Sequence, residues 1–236
     1  MHRTRTPLVQ WFRAAYLMTT LTPGISALQL KRQLGLGSYQ TTWIMLHKLR
    51  RATVNPSREM LRGNVEVDDA YVGGKEEAVV GRQVETKTPV AVAVEVRGKA
   101  SGRIRLRALQ DVSGQSLLPF VRDVVEPGSA VHTDGWVGYE GLAKTGYRHR
   151  VHKMNAAKDP AKVLRHAHRA ISNLKAWLLG THHGVSSKHL QPYLDEFAFR
   201  FNRRRTPMAA FQTLLGIGSR VQTVTYKMLC ASELNG

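Results

Sequence analysis

The run Val65-Glu66-Val67-Asp68-Asp69-Ala70-Tyr71-Val72 decides how the chain is read. Its β-branched and aromatic residues predict a strand, yet an acid stands in the middle of it. A second strand-like run, Ala130-Val131-His132-Thr133-Asp134, ends on another acid and is followed at once by Gly135-Trp136. A carboxylate in or at the end of a buried strand is costly unless it meets a cation or a hydrogen-bond donor. Two of them on separate strands of one sheet predict a divalent metal site at Asp68 and Asp134. Carboxylate oxygens suit Mg²⁺. Asp69, one residue along, alternates to the opposite face of the sheet and is expected as an exposed edge acid.

Working outward, residues 89–96 alternate as Val90, Val92, Val94, Val96, and residues 101–109 alternate with Arg103, Arg105 and Arg107. Gly98 and Gly102 lie between them, so a hairpin or meander is expected. A helix is predicted from about Gln115 to Val125, then the strand ending at Asp134. Another helix is predicted near Gly138–Thr145 and a strand at Arg148–His152. The chain from about Pro160 reads as mostly helical. Three strands, helix, strand, helix, strand, helix is similar to the order of an RNase H-like domain. The expected class is therefore α/β, a mixed sheet flanked by helices.

Ahead of this lies a different composition. Residues 1–62 carry ten Lys/Arg and one acid, Glu59. The segment reads as three helices. The first spans 8–20, with Leu8, Val9, Trp11, Phe12, Ala15 and Tyr16 at helical spacing. Ser26 caps the second, Ala27 to Leu34, with Leu28, Leu30 and Leu34. Ser38 caps the third, through Leu49, with Trp43, Leu46 and Leu49 as its apolar side. Gly35-Leu36-Gly37 makes the turn between the last two. Helix, short Gly turn, helix is the helix-turn-helix pattern, whose second helix reads base edges in the major groove. Tyr39, Gln40, Thr41 and Lys48 are the candidate DNA readers. A plain helical hairpin is the other reading. The expected division is 1–55 for a DNA-binding domain, 62–206 for a catalytic domain and 207–236 for a tail.

The bulk numbers agree with a nucleic-acid partner. The 35 Lys+Arg against 17 Asp+Glu give a formal net charge of +18 over 236 residues, which points to a polyanion. One cysteine, Cys230, excludes an internal disulfide framework and fits a reducing cytoplasm. No apolar run has the length of a membrane span. His149, His152, His166, His168, His182, His183 and His189 lack a cysteine partner and tight four-ligand spacing, which argues against structural zinc.

In an RNase H-like layout a third ligand comes from a late helix. Residues 164–175, Leu-Arg-His-Ala-His-Arg-Ala-Ile-Ser-Asn-Leu-Lys, contain no acid. His168 and Asn173 are the alternatives there. Lys175, seven residues after His168, shares its face and is placed to hold a DNA phosphate. Glu196 is a more distant alternative, with Arg200 expected as its salt-bridge partner. Arg203 and Arg204 are expected to contact backbone phosphates, or to form a solvated face.

Several blocks together resemble a known family. Residues 63–75 (Gly-Asn-Val-Glu-Val-Asp-Asp-Ala-Tyr-Val-Gly-Gly-Lys), Thr133-Asp134-Gly135-Trp136 with Tyr139, residues 172–185 and residues 193–204 are similar to ISXO-like insertion-sequence transposases, a branch of the DDE superfamily. The resemblance covers about residues 5–206. It implies a bacterial enzyme, cytoplasmic and nucleoid-associated, that cuts and rejoins DNA at terminal inverted repeats by two-metal phosphoryl transfer. It implies Mg²⁺ or Mn²⁺ as cofactor, double-stranded DNA (transposon ends and target) as partner, and a homo-oligomer on that DNA. Some branches replace the third acid by His or Asn followed by Lys, which matches His168, Asn173 and Lys175. Members usually carry a Cys-rich zinc ribbon ahead of the helical segment, and this sequence has no such stretch. A truncated or inactive transposase-derived DNA-binding protein is the alternative expectation, and a general RNase H-like nuclease is a third.

Overall fold

The computed structural model describes residues 4–73, 87–152, 163–220, 225 and 228–229. Gly74 and Lys75 of the first family block lie outside the described residues. The chain forms two compact units. One comprises residues 1–58, 179–183 and 191–236; the other comprises residues 59–178 and 184–190.

The second unit is built on a five-stranded mixed sheet. Its strands are β1 (Asn64–Val72), β2 (Thr88–Arg97), β3 (Ala100–Ala108), β4 (Ala130–Thr133) and β5 (Arg148–Val151), in the order β3-β2-β1-β4-β5. β1, β2 and β3 run antiparallel, and β4 and β5 join parallel to β1. β2 is buried along most of its length; a near-continuous Val/Ala run suits a central strand covered on both faces. β5 at the edge carries Arg148 and Arg150, both exposed. Such charges discourage pairing with a further strand.

The face that includes Val65 and Val67 packs on α4 (Gly114–Val124) and a 3-10 helix, Val137–Thr145. The core there holds Val65, Val67, Ala91, Ala93, Leu117, Phe120, Val131 and Tyr139. The segment expected as a second helix near 138–145 is thus the tighter 3-10 form. Gly138 and Gly141 press against α4: a Cβ on Gly138 would lie 2.9 Å from a Leu117 methyl, and one on Gly141 2.6 Å from a Leu118 methyl. The helix α5 (Arg165–His182) contributes its residues up to Leu178 to this unit.

The first unit is helical: α1 (Leu8–Thr20), α2 (Ala27–Leu34), α3 (Tyr39–Arg51), α6 (Leu190–Asn202) and α7 (Pro207–Gly218). Ser26 and Ser38 accept the N-cap hydrogen bonds of α2 and α3 from Gln29 and Thr41. The buried face of α1 differs from the expected one. Trp11, Ala14, Ala15 and Met18 are buried, whereas Leu8, Val9, Phe12 and Tyr16 are exposed. Small residues at 14 and 15 let neighbouring helices approach, so that side faces inward. Leu28 is likewise exposed rather than packed.

By contact, most of α6 groups with α1–α3, and α7 packs on α1. The reason is chemical. Glu196 on α6 is fully buried and accepts from Arg50 Nε of α3 at 2.7 Å. Arg50 also lies over the Tyr193 ring at 3.8 Å. Among the described residues no helix is long and apolar enough to cross a membrane.

Candidate active site

The parallel register of β1 and β4 pairs Glu66 with His132. Two residues further along β1 stands Asp68, on the face of Glu66. β4 ends at Thr133, and Asp134 is the first residue beyond it. Gly135 follows at φ +89°, a left-handed turn that side-chain-bearing residues rarely adopt. The turn brings the Trp136 N–H back to Asp134 Oδ1 at 2.9 Å.

Asp68 is 8% exposed. Burial pushes its carboxyl up to about 6. The Asp69 N–H, which donates to Oδ1 at 2.9 Å, and His168 pull the other way, while Asp69 and Asp134 add to the rise. His168 Nε2 lies 3.3 Å from Asp68 Oδ2. Of the two residues considered for the third position on α5, His168 is the one brought to Asp68; Asn173 and Lys175 are exposed on the helix.

The helix is held in place by a residue that sequence reasoning did not single out. Glu66 Oε2 accepts from the backbone N–H groups of His166 at 2.7 Å and Ala167 at 2.9 Å. The first turn of α5 has no acid of its own, so Glu66 supplies negative charge to the amides of its N-terminus. The signal was present: Glu66 sits two residues before Asp68 and therefore on the same face. His166, one residue into α5, bonds Ser101 on β3 at 2.8 Å and steadies the same turn.

Asp69 is not an exposed edge acid. Its Oδ1 accepts from the hydroxyl of buried Tyr139 at 3.2 Å. Burial raises its carboxyl, the Tyr139 bond lowers it, and Asp134 raises it again, for a net rise. Burial, then Asp69, Asp68 and Asp134 together, push the Tyr139 hydroxyl far up. Three carboxylates thus act on one another at this end of the sheet.

The carboxylate of Asp68 and the imidazole of His168 are donor types that a divalent cation accepts. Among the described residues Asp68 has no Lys or Arg ion pair, and a cation beside it would reverse the cost of its burial. Among the same residues, no three His, Cys, Asp or Glu side chains are grouped closely enough to hold a metal ion. Asp68 meets His168 directly, while Asp134 accepts from the Trp136 N–H of its own loop.

The other predicted residues fall in the helical unit. On α3, Tyr39 and Gln40 are exposed, and Thr41 and Lys48 are half-buried. Arg203 lies over the Phe199 ring at 4.1 Å and Arg204 over Phe201 at 4.2 Å. Both guanidiniums also donate to carbonyls of the last turn of α6, at Phe199 and Phe201. That is a C-terminal cap for the helix.

The family description "ISXO2-like transposase domain" matches residues 60–202, more than half of the chain. The chain belongs to the ISXO2-like transposase family. No curated protein matches it. Among solved structures, this transposase chain is similar to a chain of the simian T-cell lymphotropic virus intasome in complex with PP2A regulatory subunit B56 gamma. That match has 13% identity, 92% of this chain and 68% of that one covered, and a TM-score of 0.37. It is also similar to a chain of the pre-cleavage Mos1 transpososome, with 11% identity, 95% and 82% coverage, and a TM-score of 0.27. The transposase match spans β1 through α6, and so contains Asp68, Asp134 and His168.

Proposed function

We propose that this chain is the DNA transposase of a bacterial insertion sequence, cutting and joining strands at terminal inverted repeats. The observation that carries the reading is Asp68, buried on the central strand and met by His168 at 3.3 Å rather than by a fixed cation. Asp68, Asp134 and His168 would hold Mg²⁺ or Mn²⁺. Such ions supply activation of the attacking oxygen and stabilisation of the leaving one. Glu66 fixes the start of α5, and so the height at which His168 stands. Lys175, about 10 Å further along the helix by its rise per residue, offers a point charge to a DNA phosphate. Tyr139 holds Asp69 away on the other face.

The RNase H-like reading rests on the strand order β3-β2-β1-β4-β5 with the acids on β1 and after β4. Residues 1–55 act as a helix-turn-helix domain in this proposal, with Tyr39, Gln40, Thr41 and Lys48 toward DNA. The chain works as a homo-oligomer on transposon ends and target, in the bacterial cytoplasm.

The test is metal-dependent nicking and strand transfer on DNA flanking the coding region. Nitrogen donors suit Mn²⁺ better than Mg²⁺, so cleavage is expected to be faster with Mn²⁺, and His168→Glu to restore Mg²⁺ activity. Activity unchanged by His168→Ala would remove His168 from the site. A second reading, an inert DNA-binding derivative, is favoured by the lack of a three-ligand group among the described residues. DNA binding without nicking in either metal would select it.

A further inference from the structure

We propose that Trp136 is a stacking platform for an unpaired nucleobase beside Asp134, an inference that rests on the transposase reading above. The indole is 47% exposed and Val137 beside it 61% exposed. Phe12 and Tyr16 are exposed to a similar degree, so exposure alone does not single the ring out. Trp136 is exposed and yet held. Its Nε1–H donates to the Val112 carbonyl at 2.8 Å, and its backbone N–H donates to Asp134 Oδ1 at 2.9 Å. Its Cδ1 also lies 3.0 Å from where a Cβ on Gly138 would stand, so the lack of a side chain there seats the ring.

A ring fixed before binding loses little freedom when a partner stacks on it. Nucleobases are flat and of any sequence offer a π-face, while the net charge of +18 attracts the backbone that carries them. The residue bonded to that ring's own backbone is an acid of the candidate metal site. A base on Trp136 would therefore belong to the nucleotide next to the phosphate being cut. A base inside a duplex has both π-faces covered by its neighbours, so the subsite takes a frayed or single-stranded position.

The test uses the full chain and a duplex with a short single-stranded overhang bearing one 5-iodouracil. Irradiation is expected to crosslink that base to Trp136. Trp136→Ala should abolish the crosslink and weaken binding of the overhang about 5- to 150-fold, the range for loss of one stacked base. Trp136→Phe should keep most of both. Crosslinking elsewhere in the chain with none at Trp136, or full-strength overhang binding by Trp136→Ala, overturns the subsite. Crosslinking needs no cleavage. A wild-type chain that crosslinks at Trp136 but never cuts DNA keeps the subsite and loses the transposase reading. One that cuts and does not crosslink there does the reverse.

Discussion

Glu95 lies near one end of the β1–β2 pair, opposite Val65, and Asp68 at its middle, opposite Val92; the fold treats them in opposite ways. Both are buried. Around Glu95, burial pushes the carboxyl up, but hydrogen bonds and charge from Arg103, with Arg97, outweigh it and hold it down at about 2. Arg103 reaches it at 2.9 Å and Arg97 at 2.6 Å. At Asp68, burial wins and the carboxyl rises to about 6. An acid surrounded by fixed guanidiniums is part of the frame. An acid left short of positive charge is one that a bound cation would stabilise, as the proposed function requires.

The largest expected effect breaks the comparison at its active end. Asp68→Asn should lower DNA cleavage by about 10³-fold or more, since charge stabilisation by a bound metal is worth several kcal/mol. Its unfolding free energy should stay the same or rise, because a desolvated charge has been removed. A variant that still cuts, or that loses stability, would place Asp68 with Glu95 as a structural acid.

Glu196 extends the structural class to the helical unit. It is fully buried against Arg50 at 2.7 Å, with Arg200 Nη1 at 3.6 Å rather than as the main partner. Glu196→Ala should cost about 3–5 kcal/mol in denaturant unfolding, by leaving Arg50 buried without its counter-charge. A loss under about 1 kcal/mol would mean that the pair is not enclosed.

Acid titration sharpens the contrast through its sign. Glu95 lies below its ordinary 4.5, so its stabilisation is complete above that pH and is lost as pH falls through about 2. A shift from 4.5 to about 2 corresponds to about 3 kcal/mol. Asp68 lies above its ordinary 3.8, so in the metal-free chain its contribution is complete below that pH and is lost as pH rises through about 6. Unfolding free energies across pH 2 to 7 should therefore differ from wild type in opposite windows for Glu95→Gln and Asp68→Asn. The smallest effect is a control. Asp123 pairs with Arg107 at 2.9 Å with both side chains partly exposed, and Asp123→Ala should cost less than about 1 kcal/mol.

Much of the site was legible because strand periodicity is local. Alternation along Val65–Val72 assigns Asp68 and Asp69 to opposite faces, and Tyr139 on the α4 side confirms the second face. The spacing of His168 and Lys175 follows from helix geometry alone. What alternation does not reveal is solvent. Asp69 is half-buried because the 3-10 helix carrying Tyr139 packs close at Gly138 and Gly141, a contact between segments far apart in sequence. The same holds for α1, whose periodicity allowed two apolar stripes and whose buried one is set by α3 and α7.

Sequence by itself determined most of the strands and helices, the basic character of the chain, and Asp68, Asp134 and His168 as the residues to examine. Tertiary structure decided that Glu66 anchors α5, that His168 rather than Asn173 meets Asp68, and that Glu196 belongs to Arg50. Local pattern specifies which face a side chain leaves from. The charge it meets there, and therefore whether it serves the frame or the chemistry, depends on elements that only folding brings within a few ångströms.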